Sequence, residues 1–312
     1  MSRRNLLILP LLLGAFLDVE AQYDPSFSHY WAMETAYNPA TAGKVDKINL
    51  TIGYNMSMVG FKHNPRTMYV CGDMPFYALG GYHGVGVQLV NDDIGAFSHK
   101  KVSLLYAGKT KLLGGTLSIG VQPAMLSESL SSSKLDFEES GDPAFGSGDI
   151  TGTAFDLNAG VYYQRKNWYA GFAVQHIMGP TVNLGETNEL NIPQAYYLTA
   201  GCNIRLRNPF LTLQPSVMGR KESIGYRADL SARLTYTHEE RHMYVGLGYS
   251  PANSATVYLG GKFHGVMVGY SYEVYTSAIP VGNGSHELYV SYQTDVNLFK
   301  KGRNRHQSVR LL

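Results

Sequence analysis

The chain has 312 residues, 44% of them hydrophobic and only 16% charged, with a formal charge of +2. That balance, with no basic stripe interleaved with aromatics, argues against a nucleic-acid binder. Heavy use of Gly (34) and Tyr (23) beside two Trp and two Cys favours twisted, turn-rich β structure over helix.

Residues 1–21 read as an export signal. Arg3 and Arg4 form the charged region, Leu6 to Leu17 the apolar stretch, and Val19-Glu20-Ala21 a small-residue cleavage site, so the mature chain is expected to begin near Gln22. The paired arginines also suit a twin-arginine signal, but such pairs are common in ordinary export signals. No Cys follows the cleavage site, which speaks against a lipid anchor. Further on, no run approaches the roughly 18–20 apolar residues of a membrane helix. A mean hydropathy of −0.15 leaves a secreted β protein or an outer-membrane barrel whose lumen-facing residues dilute the apolar ones.

Residues 22–44 stand apart as an N-terminal lumen or periplasmic segment. Rich in aromatics and carrying Pro25 and Pro39, it cannot extend a sheet cleanly and needs surfaces to cover its rings, inside a barrel or on a partner. From 45 to 299 the chain breaks into segments of roughly ten residues that alternate with period two. Ile48, Leu50, Ile52, Tyr54 and Met56 oppose Asn49, Thr51, Gly53 and Asn55, and Phe155, Leu157, Ala159, Val161 and Tyr163 oppose Asp156, Asn158, Gly160, Tyr162 and Gln164. The same reading holds at 67–76, 84–90, 100–107, 115–123, 168–176, 196–206, 210–218, 226–236, 243–249, 257–263, 266–274 and 288–298. The expected fold is an all-β, transmembrane, antiparallel up-and-down β-barrel of about fourteen strands in the bacterial outer membrane. Parity puts Lys166-Asn167, Arg207-Asn208 and His264-Gly265 at periplasmic turns, and 126–152, 179–193 and 276–284 outside. Trp168, Tyr169, Tyr196, Tyr197, Tyr275, Tyr289 and Phe299 are expected in the interfacial girdles. Arg at Val161 or Leu230, on the apolar faces, should impair assembly far more than Arg at Asn158 or Ser231 on the opposite faces.

His238-Glu239-Glu240-Arg241-His242 spells a zinc-protease motif, but that chemistry needs both imidazoles on one face of a helix, and here the run bridges two alternating segments as a charged hairpin turn. The acidic stretch from Glu128 to Asp149 shows no spacing that singles out a catalytic pair. Gly84 and Gly86 lie inside a strand, where they relieve crowding or allow curvature rather than cradle phosphate. Cys71 and Cys202 fall on opposite faces, so no disulfide is expected. Lys109, Lys111, Arg165, Lys166, Arg205, Arg207 and Arg241, with a basic tail over 300–312, give the periplasmic rim a positive character suited to acidic partners.

The run Gln22-Tyr23-Asp24-Pro25-Ser26-Phe27-Ser28-His29-Tyr30, followed by Asn38-Pro39-Ala40-Thr41-Ala42-Gly43, resembles the opening of the PorP/SprF family, with Tyr23 inserted and His29 in place of the usual Gln. Asn91-Asp92-Asp93-Ile94-Gly95 and Gly141-Asp142-Pro143-Ala144-Phe145, expected in loops, are similar to that family too. The resemblance implies a non-enzymatic, cofactor-free component of the type IX protein secretion system, a pathway tied to gliding motility in some bacteria. It would support export or surface attachment of cargo with a conserved C-terminal domain. Implied partners are outer-membrane lipid, periplasmic peptidoglycan-associated and ring components, and secreted cargo. Tyr23, Asp24, Pro25, Phe27, Tyr30, Asn38, Pro39 and Gly43, with Lys300, Lys301, Arg303 and Arg305 of the tail, are the candidate partner-binding residues. The alternative from architecture alone is a passive pore or lipophile transporter.

Overall fold

The computed structural model describes residues 23–131, 149–185, 188–223, 225–276 and 283–295. The sequence-expected export signal, Asp142, Pro143 and Phe145, and Lys300, Lys301, Arg303 and Arg305 lie outside these residues, as does Phe299.

Two 3-10 turns, Glu34–Ala36 and Pro39–Thr41, precede the first strand. The first half of the sheet comprises β1 (Ile48–Met56), β2 (Arg66–Ala78), β3 (Gly81–Ile94), β4 (Phe97–Leu112), β5 (Gly115–Leu130), β6 (Ile150–Arg165) and β7 (Trp168–Gln175). A small hairpin of β8 (Thr181–Leu184) and β9 (Asn188–Asn191) interrupts it. The wall resumes with β10 (Ala195–Cys202), the short β11 (Ile204–Arg205), β12 (Leu211–Glu222), β13 (Gly225–His238), β14 (Arg241–Ser250), β15 (Ser254–Phe263), β16 (Val266–Tyr275) and β17 (Ser285–Thr294). Each wall strand pairs antiparallel with its neighbours; β10 bridges β7 and β12, and β1 pairs β17 from Ile48↔Thr294 to Met56↔His286. The result is a closed barrel of fourteen antiparallel strands.

Alternation inverts the usual order of burial. On β1 the apolar Ile48, Leu50, Ile52 and Tyr54 are exposed on the outer face, while Thr51 and Asn55 are buried. Leu104, Ile119, Leu198 and Leu247 likewise point outward, each more than half exposed. Only a lipid surround accounts for such a shell, because closure satisfies the backbone and leaves the outer side chains to face hydrocarbon.

Two-residue turns at 79–80, 113–114, 166–167, 239–240 and 264–265 occupy the side where the barrel chain starts and ends, and the strand ends joined by the long connections (Met56 and Arg66, Leu130 and Ile150, Gln175 and Ala195, Tyr275 and Ser285) lie on the other. By the rule of short periplasmic turns, the first side faces the periplasm and the second the exterior. His238 closes β13 and Arg241 opens β14, with Glu239 at φ 54° between them, so the His-Glu-Glu-Arg-His run is a hairpin turn.

Several boundaries differ from the sequence reading. β5 and β6 continue to Leu130 and from Ile150, into the expected loop 126–152, and 179–193 folds as β8–β9. The last described strand runs to Thr294, and the expected end at 298 lies outside the described residues. Asn91 and Asp92 belong to β3, not to a loop, and only Gly95 (φ 62°) sits at a turn. Tyr197 and Tyr289 are buried in the lumen, and Tyr169 packs inward against Tyr162, so these three leave the expected girdle; Trp168 and Tyr196 face out. Tyrosine parity, not strand-end position, decides which ring meets lipid.

Leu230 and Val161 are 46% and 41% exposed on the lipid side. Arg at either should cost about 2–4 kcal/mol near the bilayer midplane. The expected outcome is loss of the heat-modifiable, folded species on unboiled gels for Leu230→Arg, and its retention for Leu230→Met.

Candidate functional site

The barrel is not empty. Residues 23–44 enter at the external mouth and run down the lumen to the periplasmic end, where β1 begins. The path follows from partners: Tyr23 meets Glu128 near the external end of β5, whereas Gly43 meets Asp73 and Lys109 low on β2 and β4. A segment without strand partners cannot leave its N–H and C=O groups bare in a closed space, and the wall supplies them. The Glu287 carboxylate accepts from Ser28 N–H at 2.7 Å, from His29 N–H at 2.8 Å and from Asn55 Nδ2 at 3.1 Å, and stands 2.6 Å from His29 Nδ1. Asp73 accepts from Gly43 N–H at 2.7 Å, Gln175 Nε2 donates to the Ala36 carbonyl at 2.8 Å, and Lys109 donates to the Gly43 carbonyl.

Shape fixes the lower half. Asn38 accepts from Ala40 N–H at 3.0 Å, which starts the 3-10 turn with Pro39 at its first position, and its Nδ2 donates to the Val161 carbonyl at 3.0 Å. This turn lies directly on the strand backbone. A Cβ on Gly84 would run into the Ala42 carbonyl, one on Gly120 into Ala40 N, and one on Gly160 into the Asn38 side chain. Small residues on the segment and missing side chains on the wall are two halves of one fit, as expected where backbones approach closely.

The upper half is held by rings and charges. Phe27 packs edge-on against Tyr69 at 5.5 Å and Tyr30 bonds Ser216 and Ser231 at 3.0 and 2.9 Å. Trp31 lies 3.5 Å from the Arg233 guanidinium and edge-on to Tyr244 and Tyr289. At the mouth, His176 is set between two carboxylates, Asp156 at 2.8 Å and Asp24 at 3.2 Å; Asp24 also accepts from Tyr197 at 2.8 Å, and Lys101 stands 3.9 Å away. Burial opposes ionisation of Asp24, but the His176 and Lys101 charges outweigh it and hold the carboxyl well below its ordinary range. Tyr23 closes this cluster, with its hydroxyl 2.5 Å from Glu128 and its ring edge-on to His99 and His176. Among the described residues no group of three or more His, Cys, Asp or Glu side chains is arranged to hold a metal ion.

The structure therefore strings Tyr23, Asp24, Phe27, Tyr30, Asn38, Pro39 and Gly43 along the lumen and packs them against the barrel itself, with Pro25 half-buried among them. Asn91 and Asp92 lie on β3, Asp92 buried and accepting from Thr67 at 2.5 Å. Sequence reasoning missed the wall residues that receive the segment: Asp73, Asp156, Gln175, His176 and Glu287. Their signal was a charge or amide on the polar face of a strand, as at Asp73, Asp156 and Glu287, or at its outer end, as at Gln175 and His176. Asn158 and Ser231 lie on the inner faces, as the alternation predicts, and both are engaged there. Asn158 accepts from His176 N–H at 2.8 Å and Ser231 bonds Tyr30, so both positions are filled.

Gly84→Val should displace the Ala42-Gly43 end from the wall while Gly108→Val, whose Cβ would meet nothing within 4 Å, should not. Single-channel recordings on purified protein are expected to show ion conductance for the first variant and none above the native level for the second.

The family described as type IX secretion system membrane protein PorP/SprF matches residues 19–292. Comparison with curated proteins gives no match. Among solved structures, a Pseudomonas aeruginosa FadL homologue shares 11% identity over 83% of this chain and 92% of its own, with a TM-score of 0.49. The TodX deltaS2S3 mutant monoaromatic hydrocarbon channel shares 11% over 83% and 93%, at 0.48. The CymD monoaromatic hydrocarbon channel shares 12% over 88% and 93%, at 0.46.

Proposed function

Because the chain belongs to the PorP/SprF family of type IX secretion system membrane proteins, we propose that this outer-membrane barrel works as a plugged, non-enzymatic anchor that supports export or surface attachment of cargo. One observation carries the reading: the family-like segment from Asp24 to Gly43 fills the lumen and is bonded along its length to the wall. A barrel so filled offers surfaces at its two ends rather than a path through its middle. Its periplasmic end carries Lys111, Arg165, Lys166, Arg205 and Arg207, a positive rim that suits acidic partners of the secretion apparatus. The external end carries the long connections, the natural ground for cargo. The basic tail, with Lys300, Lys301, Arg303 and Arg305, extends the periplasmic docking face, and removal of residues 1–21 by signal cleavage frees the segment to enter the lumen. The wall's polar bonds to the segment weigh against a passive pore or lipophile transporter, which needs an open lumen.

Deletion of residues 24–43 is expected to leave a heat-modifiable barrel in the outer membrane and to abolish cargo export, measured as cargo in the culture medium or on the cell surface. Normal export by the deletion would refute the claim that the lumen segment serves secretion.

A further inference from the structure

The periplasmic ends of the β2–β3 and β4–β5 hairpins share a feature that the barrel does not need. Each is a two-residue turn with both central residues in the left-handed region: Leu79 (φ 51°) with Gly80 (φ 75°), and Leu113 (φ 47°) with Gly114 (φ 76°). This turn favours Asn, Asp or Gly at its first position, because a side chain there crowds the following carbonyl. Leucine is disfavoured on that ground and again by water, since Leu79 is 100% exposed and Leu113 82%. Asn at either place would relieve both costs.

Lipid does not account for Leu79: the outward apolar row of β2 ends at Phe76, three residues or roughly 10 Å of strand short of it. At the second tip the outward row of β4 runs to Leu112, 44% exposed, and Leu113 carries the apolar surface on into the turn. Tyr77 and Tyr82, register partners beside Leu79, pack edge-on at 5.2 Å and are each more than half exposed, which widens the apolar surface. Adjoining hairpins stand two strand spacings apart, about 10 Å around the rim. The surround is positive: a Cβ on Gly114 would meet the Arg165 guanidinium at 3.8 Å, Lys111 flanks the same turn, and Lys166 sits on the next. Residues 76–83, 109–117 and 163–168 contain no Asp or Glu.

We propose that Leu79 and Leu113 are paired apolar anchors that seat in a groove of a folded periplasmic protein, a groove lined with apolar side chains and bordered by carboxylates that meet Lys111, Arg165 and Lys166. Exposed apolar side chains set within a rim of charge mark a protein-interaction site, the charge steering and orienting the partner. The proposal rests on the reading of the periplasmic end as a docking face and names the residues and partner chemistry of that face.

The test uses the full-length protein in its own cells. Leu79→Asn with Leu113→Asn suits the turns better than the native pair, so the barrel should keep its heat-modifiable migration. A photo-crosslinking residue at 79 is expected to form a discrete protein adduct whose yield falls at least tenfold with Leu113→Asn and recovers with Leu113→Met. Cargo export should fall with the Asn pair and return with Leu79→Met and Leu113→Met. Adducts to lipid alone, or adduct yield unchanged by Leu113→Asn, would overturn the proposal. Should export prove independent of this protein altogether, the secretory reading fails, and the adduct yields alone decide the anchors.

Discussion

Everything inside this barrel depends on one requirement, that a non-strand segment buried in a closed space find a partner for each main-chain polar group. Glu287 shows how the requirement is met. A single carboxylate accepts from two successive N–H groups, Ser28 and His29, and from Asn55 of the first strand. Such a charge, 1% exposed, would be costly if left alone. Asp73 does the same for Gly43 at the other end. Charged wall residues and the segment thus make each other tolerable: without the segment the carboxylates lose their donors, and without the carboxylates the segment loses its acceptors. Hydrogen bonds to charged groups are the stronger kind, each contributing about 1.5–3 kcal/mol, which accounts for ordered packing in a chain stretch with so little secondary structure.

The strand pattern was legible from the sequence because a barrel in lipid must put an apolar residue outward at every second position, and nothing else in the chain obeys that rule so consistently. Each of the fourteen segments read from alternation lies within or overlaps an observed wall strand. The ends were less legible. Where β5 and β6 rise beyond the apolar band, Ser127, Ser129, Thr151 and Thr153 replace outward apolar residues and alternation fades, although pairing continues to Leu130↔Ile150. Aromatic residues misled for a related reason. Tyr suits a lipid interface and a lumen equally well, and only its parity tells them apart, as Tyr196 and Tyr197 show by facing opposite ways.

The site was legible by half. The segment could be singled out by its prolines and aromatics, and by the family-like runs around Asp24 and Asn38. Its receiving surface could not, since which strand presents Glu287 to Ser28 depends on barrel closure across 259 residues of sequence. Glycines told the same partial story: Gly84 and Gly86 were read as relieving crowding, but what crowds Gly84, the Ala42 carbonyl, belongs to a piece of chain about forty residues earlier. Long-range complementarity of this kind leaves only the polar or missing side chain as a trace.

The lengthwise course of the segment has a consequence for how the molecule is made. Its described start lies at the external mouth and its end joins β1 at the opposite rim, so the chain passes through a ring of its own fourteen strands, closed by the first and the last. It is a thread through a bead strung from the same thread. Glu287 rides on β17, the strand that completes the ring against β1, and reaches Ser28 and His29 only from that position. The last strand therefore carries both the zipper that shuts the wall and the clasp that secures the thread. Seating the segment and shutting the wall draw on the same strand, so a change at β17 is felt by both.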